Sequence, residues 1–111
     1  MYSDTAPDRI QALNDRARSN GSDGLIVITA GIAALHPKDQ TAILDRVRTF
    51  DDFTPDNDPH GEHDFGSFEH GRKTIFWKID YYDLLGCNGS RDPSDPVLTR
   101  RVLTVLFAEE Y

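Results

Sequence analysis

His63-Asp-Phe-Gly-Ser-Phe-Glu-His-Gly-Arg-Lys-Thr-Ile-Phe-Trp-Lys-Ile-Asp-Tyr-Tyr82 is the stretch whose reading decides the fold. Apolar and polar residues alternate from Lys73 to Tyr82, the period of a half-buried strand, and His63–Glu69 supplies a second extended run. His70-Gly71 between them predicts a two-residue hairpin turn. That turn pairs Phe65 with Phe76, Gly66 with Ile75 and Asp64 with Trp77. Ile75, Trp77, Ile79 and Tyr81 then share the core face, and Gly66 leaves room there for the large rings. Thr74, Phe76, Lys78, Asp80 and Tyr82 line a mixed second face.

Upstream of the hairpin the chain is acidic. Residues 50–69 hold seven carboxylates (Asp51, Asp52, Asp56, Asp58, Glu62, Asp64, Glu69), two histidines and four phenylalanines, with no Lys or Arg. Pro55, Pro59, Gly61 and Gly66 interrupt the stretch, which predicts a loop running into a strand. Before it, His36-Pro37 opens a helix whose stripe is Ile43, Leu44, Val47 and Phe50. That helix ends at Asp51-Asp52, carboxylates at the unfavourable end of its dipole. Leu25–Thr29 is a β-branched run between Gly24 and Gly31, the pattern of a strand buried on both faces at the centre of a sheet. Thr5-Ala-Pro-Asp8 starts a first helix, with Ile10, Leu13 and Ala17 as a thin apolar face and Asn20-Gly21 as its stop. It reads as a cover helix.

Downstream, Asp83–Asp95 is rich in Gly, Asn and Ser and reads as a loop. Asp95-Pro96 predicts the start of a last helix, with Leu98, Val102, Val105 and Leu106 as its buried stripe, widened by Leu103 and Phe107. The element order is then α-β-α-β-β-α. This is an α+β, two-layer domain with three helices on a small, mainly antiparallel, three-stranded sheet. One domain spans 1–111, with the cover helix at 1–21 and the core at 22–111.

With 111 residues the chain is long enough for one core without staples. Its net charge of −7 falls wholly within residues 51–111. Such a balance repels phosphate backbones and excludes direct nucleic-acid binding, leaving a basic partner, a cation or solubility. No apolar run spans a bilayer, Met1–Asp8 is too polar and acidic for a signal peptide, and Cys87 is alone; together these predict a cytoplasmic protein.

Three chemistries fit the acidic stretch. The first is a metal site or metal-dependent hydrolase using His60, Glu62, His63 and Asp64. Asp56-Asn-Asp-Pro-His-Gly61 imitates the start of a calcium loop, but Ser67 stands where the bidentate Glu is needed, and the histidines lack the helical zinc-enzyme spacing. The second is nucleophilic catalysis by His63, Asp64 and Ser67, which strand geometry disfavours because adjacent residues point to opposite faces; His63 then serves to anchor the loop by hydrogen bonds. The third is an interaction surface in which carboxylates steer and aromatics anchor a partner.

Arg48-Thr-Phe-Asp-Asp-Phe53, Asn57-Asp-Pro-His-Gly-Glu-His-Asp-Phe-Gly66, Ile75-Phe-Trp-Lys-Ile-Asp-Tyr-Tyr-Asp83 and Ala108-Glu-Glu-Tyr111, with Thr29–Leu35 and Arg101–Thr104, resemble the bacterial domain-of-unknown-function family numbered 3768. The resemblance covers roughly residues 22–111. It implies a small cytoplasmic protein of the kind encoded on mobile elements, with no activity to transfer. That setting implies an accessory or anti-defence (anti-CRISPR-like) protein acting by binding another protein.

The reading these observations support is a non-enzymatic, acidic protein-binding module without a cofactor. It would inhibit by occupying a basic, nucleic-acid-binding surface of its partner. Its contact residues would be Asp51, Asp52, Asp56, Asp58 and Glu62, joined by Tyr82 and Asp83 if the hairpin curls back. The alternatives are the metal reading above and a structural subunit that homodimerises through the mixed sheet face around Phe76 and Tyr82.

Overall fold

In the computed structural model, which describes residues 5–21 and 24–111, the chain is α+β. The order is α1 (Ala6–Asn20), β1 (Gly24–Ile28), α2 (Ala30–Ala33), α3 (Pro37–Arg48), β2 (Phe65–His70), β3 (Lys73–Tyr82), β4 (Arg100–Phe107) and a 3₁₀ turn, Ala108–Glu110. The strands form one mixed sheet in the order β1-β4-β3-β2, with β1 parallel to β4 and the other pairs antiparallel. Helices α1 and α3 lie on the same face.

The start signals act locally as read. Thr5 Oγ1 accepts from Asp8 N–H, Pro7 sits in the first turn of α1, and Gly21 closes the helix with φ 74°. Pro37 is the first residue of α3, and His36 Nδ1 caps Lys38 N–H.

The last predicted helix is a strand, so the sheet has four strands and is not mainly a three-stranded antiparallel one. Asp95 does accept a hydrogen bond at once, from Val97 N–H at 2.9 Å, but it closes a turn rather than a helix. The run Arg100–Phe107 then alternates: Arg101, Leu103 and Val105 are buried toward the helices, while Val102 and Thr104 are half-buried on the other face. It is also one of the two inner strands, paired on both edges. A run this apolar on both faces has no periodicity that separates helix from strand.

Strand β1 is correspondingly an edge strand, not the centre, and Leu25, Ile26 and Val27 are exposed. The hairpin forms with a register shifted by two. Its turn is Gly71-Arg72, where Gly71 takes φ 61°, as the first position of a tight hairpin turn requires. Gly66 therefore faces Trp77, and Phe65 faces Lys78. An even shift keeps every side chain on its face, so Ile75, Trp77 and Ile79 are buried as expected.

The core gathers these three with Phe68, Leu103, Val105, Ile32, Ile43 and Val47. Each fully buried aliphatic side chain contributes roughly 1.5–3 kcal/mol. Gly66 is the close-approach point: a Cβ there would stand 2.7 Å from Trp77 Cζ2, so only glycine lets the indole lie across β2. On the opposite face the Phe76 ring meets Phe65 and the C-terminal Tyr111 edge-on. Among the described residues no helix is long and apolar enough to cross a membrane.

Candidate functional site

The acidic stretch is a loop held by its own hydrogen bonds and ring contacts. Phe50 and Phe53 turn inward and meet Trp77 edge-on, with centroids 5.6 and 6.1 Å from the indole, which leaves Asp51 and Asp52 facing outward between them. Thr54 and Asn57 then exchange side chain-to-backbone hydrogen bonds, and Asn57 Nδ2 donates to Asp52 O at 2.9 Å. His63 takes φ 55°, stacks on Phe53 at 3.7 Å, and donates its N–H to Asp58 Oδ1. Its ring nitrogens face two carboxylates, Asp15 at 2.8 Å and Asp58 at 3.6 Å. His63 thus anchors the loop.

The other half of the grip comes from α1. Gln11, Asn14, Asp15 and Arg18 follow helical i, i+3, i+4, i+7 spacing and lie along one side of the helix. Gln11 Nε2 donates to Gly61 O (2.8 Å), Asn14 Nδ2 to Glu62 O (2.9 Å), and Asp15 meets His63, so three helix positions hold three consecutive loop residues. Arg18 reaches past them to donate to Val47 O at 2.9 Å and to stack its guanidinium over Phe53 and Trp77. Asn14, fully buried, also donates to the Tyr81 hydroxyl (2.8 Å) and accepts from Arg101 Nε (2.7 Å). Burial drives the Tyr81 phenol up, out of any physiological range. Burial also pushes the Asp64 carboxyl up; the hydrogen bond to its own backbone offsets part of this, and nearby Asp58 adds to the rise.

The expected contact residues therefore separate. Asp51 and Asp52 line an open cleft of about 460 Å³ with Glu69, Ser67, Phe68 and Arg46. Arg46 is committed: it donates to Glu69 O at 2.7 Å and lies over Phe68. Asp56 is exposed in the loop. Asp58 is turned inward, its side chain only 6% exposed against His63, and Glu62 accepts from the Tyr81 hydroxyl at 3.2 Å. Tyr82 and Asp83 lie at the other end of β3, roughly 20 Å along the strand from the part facing the cleft. The hairpin does not curl back to them. Asp83 organises its own loop: desolvation is the largest single influence and raises its carboxyl, but the N–H donors of Cys87, Asn88 and Gly86 with the Asn88 side chain together outweigh it and lower the pKa.

His60, Glu62, His63 and Asp64 do not converge, and among the described residues no three His, Cys, Asp or Glu side chains are grouped to hold a metal ion. Ser67 is exposed on the sheet face away from the helices, so it does not complete a triad with His63. Phe65 and Phe68 are partly or fully buried.

Two features escaped the sequence reading. The clamp on α1 does not show in the apolar residues of that helix; four polar side chains at helical spacing beside a thin apolar face are its signal. The second is an apolar corner at which Leu25, Leu84 and Pro96 line a groove of about 320 Å³ with Arg100, next to exposed Leu85 and Val97.

A family model described as a protein of unknown function (DUF3768) matches residues 28–110. No curated protein and no solved structure matches the chain.

Proposed function

The chain belongs to the DUF3768 family, and we propose that it is a non-enzymatic, acidic protein-binding module whose cleft between α3, the acidic loop and β2 receives a Lys or Arg side chain of a basic partner. One observation carries the reading. Asp51 and Asp52 sit exposed just beyond the C-terminal end of α3, where the helix dipole disfavours them, and no described residue pairs with either carboxylate. The acids that the fold itself uses, Asp15, Asp58 and Glu62, all have partners. Charge that the fold does not use, concentrated beside the Phe50 and Phe68 rings, is what a cationic side chain would meet. The finer version, in which the partner surface is a nucleic-acid-binding groove that the module covers as an accessory or anti-defence inhibitor, rests on the charge balance and on the family setting alone.

Fluorescence anisotropy with a labelled Lys/Arg-rich peptide tests it. Binding should weaken by about tenfold or more between roughly 0.05 and 0.5 M salt, since the Debye length shrinks several-fold over that range. D51N/D52N should lose most of it. Salt-independent binding, or equal binding by the neutralised variant, would remove the cleft from the mechanism.

A further inference from the structure

We propose that two copies of this chain pair through the outer edge of β1, joining their four-stranded sheets into one continuous sheet. The outer edge of β1 is chemically unprotected. Natural edge strands are blunted by Lys, Pro, bulges or cover. Gly24–Ile28 has none of these residues, its burial pattern is exposed almost throughout, and no charge occurs from Gly24 to Leu35. Thr29 N–H donates to Val105 O at 3.1 Å, so by strand alternation Leu25 and Val27 also turn their backbone groups toward β4. Those of Gly24, Ile26 and Ile28 point outward, and no described residue bonds to them.

A two-fold axis at Ile26 satisfies that edge with a second copy. Ile26 exchanges hydrogen bonds with the partner's Ile26, and Gly24 with the partner's Ile28, in antiparallel register. Leu25 then stands beside the partner's Val27 as a close, non-hydrogen-bonded pair on the open face, covering side chains that are 56% and 38% exposed.

The ends of the strand are complementary in charge, which selects a second copy over an unrelated strand. Exposed Arg100 lies beside the Gly24 end, on the same face as Leu25. Glu110 lies at the other end, its carboxylate bonded to Thr29 Oγ1 at 2.7 Å and to Gly31 N–H at 3.1 Å. Antiparallel pairing sets each copy's Arg100 toward the partner's Glu110. It also turns the Leu25–Leu84–Pro96 groove to the partner's Thr29 end.

Sedimentation velocity of the full chain at concentrations up to about 100 μM tests this, since specific symmetric interfaces hold in the micromolar range or below. The expected species has twice the 12.5 kDa chain mass. Leu25→Lys, with its melting curve checked against the parent, should weaken association by about tenfold or more. Val27→Lys repeats the test on a second side chain should Leu25→Lys melt early. A monomer at the highest concentration overturns the proposal, and so does a dimerisation constant left unchanged in either folded variant. Neither outcome touches the acidic cleft, whose residues lie on α3, β2 and the loop.

Discussion

Asn14→Ala should be the most damaging single truncation on α1, because one buried amide serves three elements at once. It donates to the acidic loop at Glu62 O and to β3 at the Tyr81 hydroxyl, and it accepts from β4 at Arg101 Nε. Two neutral hydrogen bonds contribute about 1 kcal/mol each and one from a guanidinium about 1.5–3, so the loss comes to about 4 kcal/mol. That is a large share of a domain's usual stability of about 5–15 kcal/mol, and it corresponds to a fall in Tm of about 15 °C for a chain near 100 residues. Trp77 is the only tryptophan, so urea unfolding followed by its fluorescence reads the midpoint directly. Gln11→Ala, which removes a single bond to Gly61 O, is the internal comparison and should cost about 1 kcal/mol. An Asn14→Ala loss below about 1 kcal/mol, or one no larger than that of Gln11→Ala, would refute the keystone role of the amide.

Gly66→Ala should destabilise by about 3 kcal/mol or more, read in the same urea assay, because the new methyl collides with a buried indole packed on every side. Glu110 should make the contact of the 3₁₀ turn with Thr29 and Gly31 sensitive to acid. The Thr29 hydroxyl, first, and then the Phe107 and Gly31 N–H groups hold its carboxyl below 4.5, so the stabilisation is present above the unfolded pKa and lost as pH falls through the lower, folded value. Glu110→Gln should therefore melt earlier than the parent at neutral pH and converge with it in acid; a gap that is constant across pH would contradict this.

The local signals were legible and the long-range ones were not. Pro37, Thr5 and Gly21 act within a turn of themselves, and the period-2 pattern of Lys73–Tyr82 fixes its faces whatever the register, so these readings survive. Strand β4 misleads because it is flanked by strands on both edges and covered by helices on one face, and such a strand has the composition of a core helix. The β-branched run of β1 has the composition of a central strand as well, yet β1 stands at the edge of the sheet. The inward turn of Asp58 and Glu62 depends on α1 partners some 48 residues away, His63–Asp15 and Glu62–Asn14, which no local pattern announces.

The acids of residues 50–69 thus divide by what answers them, and the division makes D51N/D52N informative beyond binding. Were Asp51 and Asp52 there to hold the loop, neutralising them would cost stability. Their backbone carbonyls accept bonds from Phe53 and Asn57, but their carboxylates accept none from a described residue, they follow the negative end of α3, and they stand side by side as like charges. Removing both charges should therefore leave the melting temperature unchanged or raise it, by a few tenths of a kcal/mol for each relieved dipole contact. A more stable protein that binds a basic peptide less well is the signature of residues kept for a partner. A less stable one would return them to the fold and leave the cleft without its purpose.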